Sequence, residues 1–186
     1  MHSRPKCPRV PDIRSVARRT AAASCLVAVA AALTVAPASA LPSAAGGSTT
    51  VTTKSGLTLT ATPVRRLPSS ATIHVTGKGY DRTVGIYVAL CVTPVKGIAP
   101  SPCGGGVNMT GASAASAWIS SNPPPYGTAL ATPYRRGGRF DVTMSVSPMI
   151  GTVDCRQVSC AIVTRADHTR PGERRFDVVV PVTFAP

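Results

Sequence analysis

A chain of 186 residues is long enough for one domain, or for one with a small second. Its 18 prolines and 16 glycines are scattered, breaking helices and making turns, and charged residues at 15% are too sparse for a coiled coil. Alternating apolar runs exclude full disorder, which leaves a loop-rich all-β domain in a chain of formal net charge +13.

The first forty residues read as an address. Six basic groups (Arg4, Lys6, Arg9, Arg14, Arg18, Arg19) face one acid, Asp12, and an apolar run follows from Ala21 to Ala36. Pro37-Ala38-Ser39-Ala40 then supplies the small residues of a secretory cleavage site, so residues 1–40 are expected to be a signal peptide cut after Ala40. The apolar run is short and alanine-rich for a permanent span, and none is expected after cleavage. The expected mature chain keeps 14 basic and 6 acidic groups, a net +8. Cys7 and Cys25 leave with the signal; Cys91, Cys103, Cys155 and Cys160 stay. Export and an even cysteine count point to two disulfides. Three pairings are open, and the local one, Cys91–Cys103 with Cys155–Cys160, closes short loops between adjacent apolar runs. A zinc site fits poorly: neither pair has CxxC-like spacing, and only His74 and His168 remain. No metal or cofactor is expected.

Residues 41–55, rich in Ser, Thr, Gly and Ala without periodicity, read as a flexible leader before a domain over 56–186. Seven strand-like runs follow. The first is Leu57–Ala61, ended by Pro63. The second is Ala71–Thr76, with Ile73 and Val75 on one face. The third, Val84–Val92, is apolar on nearly both faces, as in a strand covered on both sides. The fourth, Ala115–Ser120, centres on Trp118. The fifth, Phe140–Val146, alternates with period two. The sixth, Val158–Thr164, puts Cys160 and Ile162 on one face. The seventh alternates through Phe176, Val178, Val180, Val182 and Phe184, and Pro181 makes it an edge strand. Seven short strands in this length predict an immunoglobulin-like β-sandwich with two disulfides, its alternating residues buried between two sheets.

The residues permit little catalysis. There is no GxSxG, and Asp167 and His168, adjacent on an extended chain, point to opposite faces. Acids are scattered singly, and Gly104-Gly105-Gly106 lacks the lysine and helix of a phosphate loop. Basic residues cluster at Arg65-Arg66, at Arg135-Arg136 with Arg139, and at Arg170 with Arg174-Arg175. Such a secreted protein is drawn to anionic polymers of the cell envelope, the second functional reading, which extends its location from secreted to wall-associated. Aromatic interleaving of the kind that binds single strands is absent. The longest loop-like stretch, Trp118–Tyr134, sets Trp118, Asn122, Tyr126 and Tyr134 around a rigid Pro123-Pro124-Pro125 bend, and long ordered loops often carry function.

Gly151-Thr152-Val153-Asp154-Cys155, with Cys160 beyond, resembles the GTVDC…C signature of the neocarzinostatin family, secreted actinobacterial apoproteins that carry enediyne chromophores. Thr72–Tyr80 and Gly85–Cys91 are similar to the family's second and third strands, and the cysteine order matches. The resemblance implies a seven-stranded sandwich, the two local disulfides, and a cleft between the larger sheet and the two disulfide-pinned loops. It also implies a carrier of an aromatic chromophore-like ligand, associated with antibiotic action and, through the chromophore alone, with DNA; a monomer is expected. Carriers place Trp two residues after the first cysteine and Phe before GTVDC, where this chain has Thr93 and the pair Met149-Ile150. The expected function is thus non-enzymatic binding of an apolar or aromatic small molecule, with Leu90, Thr93, Trp118, Tyr126, Met149, Ala161 and Arg165 as candidate contacts.

Overall fold

A computed structural model describes residues 44–105 and 115–186. The expected signal peptide, the start of the expected leader and Gly106 lie outside the described residues. The strands are β1 (Thr49–Thr52), β2 (Thr58–Thr62), β3 (Ala71–Lys78), β4 (Ile86–Val92), β5 (Ser116–Ile119), β6 (Ala131–Thr132), β7 (Phe140–Val146), β8 (Met149–Ile150), β9 (Val153–Asp154), β10 (Cys160–Ala166) and β11 (Val178–Val182). A single 3₁₀ turn, Pro125–Gly127, is the only helical element among the described residues, and none there is long and apolar enough to cross a membrane.

Two sheets face each other. One has four strands in the order β1-β2-β3-β7; the other has five in the order β11-β10-β4-β5-β6; β8 and β9 form a small separate hairpin. All pairs are antiparallel except the short β5–β6 pair. The chain is an all-β, immunoglobulin-like sandwich with disulfides Cys91–Cys103 and Cys155–Cys160. Each of the seven predicted runs overlaps a strand, β2, β3 and β10 running past the predicted end.

One expectation is corrected. Thr49–Thr52, read as flexible leader, is strand β1, paired residue for residue with β2. The run has no apolar alternation because only Val51 packs against the core, while Thr50 and Thr52 face solvent. Threonine suits a strand's exposed face without leaving a hydrophobic signal.

Inward residues follow the period-two rule. Leu59, Ile73, Val75 and Met144 from one sheet meet Ile86, Val88, Ile162 and Val180 from the other, each at most 1% exposed. Burying such a side chain stabilises the fold by roughly 1.5–3 kcal/mol. Tyr80, Tyr134 and Phe140 close one end of the core, Tyr80 edge-on to Phe140 at 5.3 Å between centroids. Their polar tips are satisfied. The Tyr80 hydroxyl donates to Thr164 Oγ1 at 3.0 Å, Thr164 donates on to the Phe176 carbonyl, and Tyr134 donates to the Val84 carbonyl. Burial pushes both phenols above their usual range.

The border at β11 is partly sealed. Thr183 N donates to the Val64 carbonyl and Ala185 N to the Leu67 carbonyl, both at about the same edge where Pro181 has no amide.

Candidate ligand-binding face

Alternation along the five-stranded sheet sends a second set of side chains outward. On β4 these are Tyr87, Ala89 and Cys91; on β10, Ala161, Val163 and Arg165; on β5, Ser116 and Trp118. Register pairs Tyr87 with Trp118 on one side and with Arg165 on the other. The face has two halves. In one, Ala89, Cys91, Ala161 and Val163 form a small buried apolar cluster beside Cys103, under the disulfide-pinned loop. Arg165 reaches over to that loop, its guanidinium donating to the Pro100 carbonyl at 3.0 Å.

The other half is aromatic. Trp118 lies 6.0 Å from Tyr87, 6.4 Å from Tyr126 and 5.3 Å from His168 between ring centroids. His168 ties the group together: its Nδ1 is hydrogen-bonded to the Tyr87 hydroxyl and its Nε2 to the Tyr126 hydroxyl. With a neutral ring, one nitrogen accepts and the other donates. Trp118 is only 8% exposed, whereas Tyr126 is 54% exposed, so tryptophan is the floor and tyrosine the open surface.

Several features fix this floor. The indole N–H donates to Asp167 Oδ2 at 2.9 Å, while Oδ1 accepts from the Thr169 amide and hydroxyl. Asp167 is 2% exposed, and the hydrogen bonds to it compensate the cost of burying a carboxylate. Two glycines make the room. A Cβ on Gly127 would stand 2.3 Å from the indole, and one on Gly85 would stand 1.9 Å from Asp167 Oδ2. Pro123, Pro124 and Pro125 stiffen the approach to Tyr126. Burial pushes the Tyr87 phenol up to about 12, the neighbouring Asp167 charge adding to the effect.

The candidate contacts do not converge on one cavity. Trp118, Tyr126 and Arg165 gather around Tyr87. Ala161 lies in the small-residue half, and Thr93, exposed, sits where the two disulfide-pinned loops meet, its amide donating to Ser159. Leu90 points inward by alternation and is 2% exposed. With Met149, 45% exposed on β8, it lines a separate groove of about 310 Å³. Tyr87, Asp167 and His168 are not among the contacts expected from the sequence. Tyr87 carries a signal as the one large outward residue of β4; a histidine beside an aspartate signals a base in sequence, not a link between two tyrosines. Asp167 and His168 do turn apart, and Asp167 orients Trp118 and Thr169 instead of the imidazole.

At the margin of the face, buried Arg165 Nε and Asp177 Oδ1 lack hydrogen-bond partners among the described residues. No group of three or more His, Cys, Asp or Glu that could hold a metal occurs among the described residues.

No protein-family model matches the chain, and no curated protein matches it. Among solved structures, one described as macromomycin is similar, with 18% identity, 70% of this chain and 100% of that chain covered, and a TM-score of 0.46.

Proposed function

We propose that this chain is a secreted, non-enzymatic binding protein that takes a flat aromatic small molecule on the outer face of its five-stranded sheet. The observation that carries this is the cluster of Tyr87, Trp118, Tyr126 and His168: four rings held together on a solvent-facing sheet surface, with Tyr126 open. An aromatic platform stiffened before binding loses little entropy when a ligand stacks on it. A hydrolase reading lacks support, because both imidazole nitrogens of His168 are engaged by tyrosines and the adjacent carboxylate serves Trp118. The two disulfides support an oxidising, extracytoplasmic location.

The test is titration of the protein with a panel of planar aromatics, read by emission of Trp118, the single tryptophan. Saturable quenching is expected, and Tyr126→Ala should weaken it about three- to tenfold. A panel without saturable response, or full binding by the Tyr126 variant, contradicts the reading.

A further inference from the structure

The opposite face of the sandwich carries a different chemistry. Outward positions of the four-stranded sheet form polar rows across the strands. Register aligns Thr50, Thr60, Thr76 and Asp141 in one row, and Thr52, Thr58 and Lys78 in the next. Neighbouring hydroxyls are hydrogen-bonded, Thr50 to Thr60 at 2.8 Å and Thr52 to Thr58 at 3.2 Å. The rows therefore repeat hydroxyls at about the 4.8 Å spacing of strands.

Beside these rows stands a basic turn. Arg135 and Arg139 pair through their backbones, with Arg135 N donating to the Arg139 carbonyl at 2.7 Å. The turn is anchored to the end of β3: Gly79 N donates to the Gly137 carbonyl and Tyr80 N to the Gly138 carbonyl, both at 3.2 Å. Gly138, at φ +61°, is so close that a Cβ there would meet the Tyr80 carbonyl oxygen at 1.8 Å. The arginines thus project from a fixed frame. Between turn and sheet lies a groove of about 620 Å³, floored by Thr50, Thr60 and Thr76 and rimmed by Lys78, Arg136 and Arg139. The same three cations line an adjoining hollow of about 490 Å³.

The charge in this groove is poorly neutralised from within. Its one acid, Asp141, is 2.6 Å from His74 Nε2 and 4.0 Å from Arg135 Nη1. Among the described residues, no carboxylate comes within 4.0 Å of Lys78, Arg136 or Arg139. By contrast Arg156, Arg170, Arg174 and Arg175 all have carboxylate partners. Guanidinium forks suit phosphate oxygens, and a threonine floor suits hydroxyls. The aromatic ring in the groove wall, Phe140, is 3% exposed and offers no surface on which a base could stack.

We propose that this groove binds a flexible polyol chain linked by phosphodiesters, with phosphates on Lys78, Arg136 and Arg139 and chain hydroxyls on the threonine rows. The site is separate from the aromatic face and stands or falls without it. The test measures binding of poly(glycerol phosphate) to the full chain by titration calorimetry over a series of salt concentrations. Arg136→Ala with Arg139→Ala should weaken binding at least about tenfold and lower the log–log salt slope by about 1.5, since each phosphate contact contributes roughly 0.7–0.9. Arg170→Ala with Arg175→Ala removes the same charge elsewhere and should stay within about twofold. Thr60→Val should weaken binding about two- to fivefold with the slope unchanged, because a hydroxyl displaces no counterion. Equal losses in the two double variants would reduce the effect to net charge and overturn the site. So would inorganic phosphate binding as tightly per phosphate as the polymer, or single-stranded or duplex DNA matching it at equal phosphate concentration.

Discussion

The two outer faces of the sandwich are built by one rule and end in opposite chemistry. On the five-stranded sheet, outward positions of β4, β5 and β10 hold Tyr87, Trp118, Ala89, Ala161 and Val163, and apolar surface is gathered under loops. On the four-stranded sheet, the same positions hold threonines, His74, Lys78 and Asp141, which stay wet. The inward positions of both sheets are alike, mostly aliphatic and closed, with Phe140 and Thr164 the exceptions at one end. What the chain does is therefore written outside the core, and each face is fixed by glycines where another structure presses in: Gly85 and Gly127 around Trp118, Gly138 within the basic turn against Tyr80.

The sharpest way to break this contrast is to damage one face and ask whether the other notices. Gly138→Ala drives a Cβ into the Tyr80 carbonyl from a left-handed backbone. A loss of about 3 kcal/mol or more is expected in denaturant unfolding, because neither backbone can yield cheaply. The surviving folded protein should keep the Trp118 emission maximum while losing phosphate-polymer binding; a shifted maximum would show the faces to be coupled.

A smaller effect comes from the other side. Replacing Cys91 and Cys103 with alanine opens a loop of sequence separation 12 and should cost about 2–4 kcal/mol in the same assay. The buried cluster of Ala89, Ala161 and Val163 loses its cover, so binding of planar aromatics should fall. Polymer binding should not change, and an equal fall in both would contradict the separation.

The smallest effect is in pH. Burial raises the Asp177 carboxyl from 3.8 to about 6, and the Arg174 and Arg165 charges offset only part of this. The folded chain then holds that proton more firmly than the unfolded one. Its stabilising contribution is complete below about pH 3.8 and is lost as pH rises through about 6. Asp177→Asn should flatten this decline in a series of unfolding midpoints, and parallel profiles for variant and parent would show that Asp177 does not titrate there.

Much of the architecture was legible because buried strands leave a period-two signature. All seven apolar runs found their strands, and the cysteines paired between neighbours in sequence. Strand β1 was hidden for the converse reason: Thr49–Thr52 contributes hydrogen bonds and hydroxyls but one core residue, so hydrophobicity says nothing. The candidate face was half legible. Trp118 and Tyr126 stood out in a proline-bound loop, and Arg165 and Ala161 shared an outward parity. Their partner His168 lies 42 residues from Tyr126 and 81 from Tyr87, and the pairing of β4 with β10 on one side and with β5 on the other brings these together. Leu90 and Met149 were grouped with them by a cleft that needed both disulfide-pinned loops to face one way; alternation turns Leu90 into the core instead.

The outer border of β11 bears on how this protein meets copies of itself. A β-sandwich invites growth wherever a rim offers amides in sequence. Here Pro181 has none, and Thr183 and Ala185 already give theirs to Val64 and Leu67. A second molecule arriving at that rim finds no continuous row to zip onto, so growth through it is opposed by one missing amide and by two others already spent within the chain.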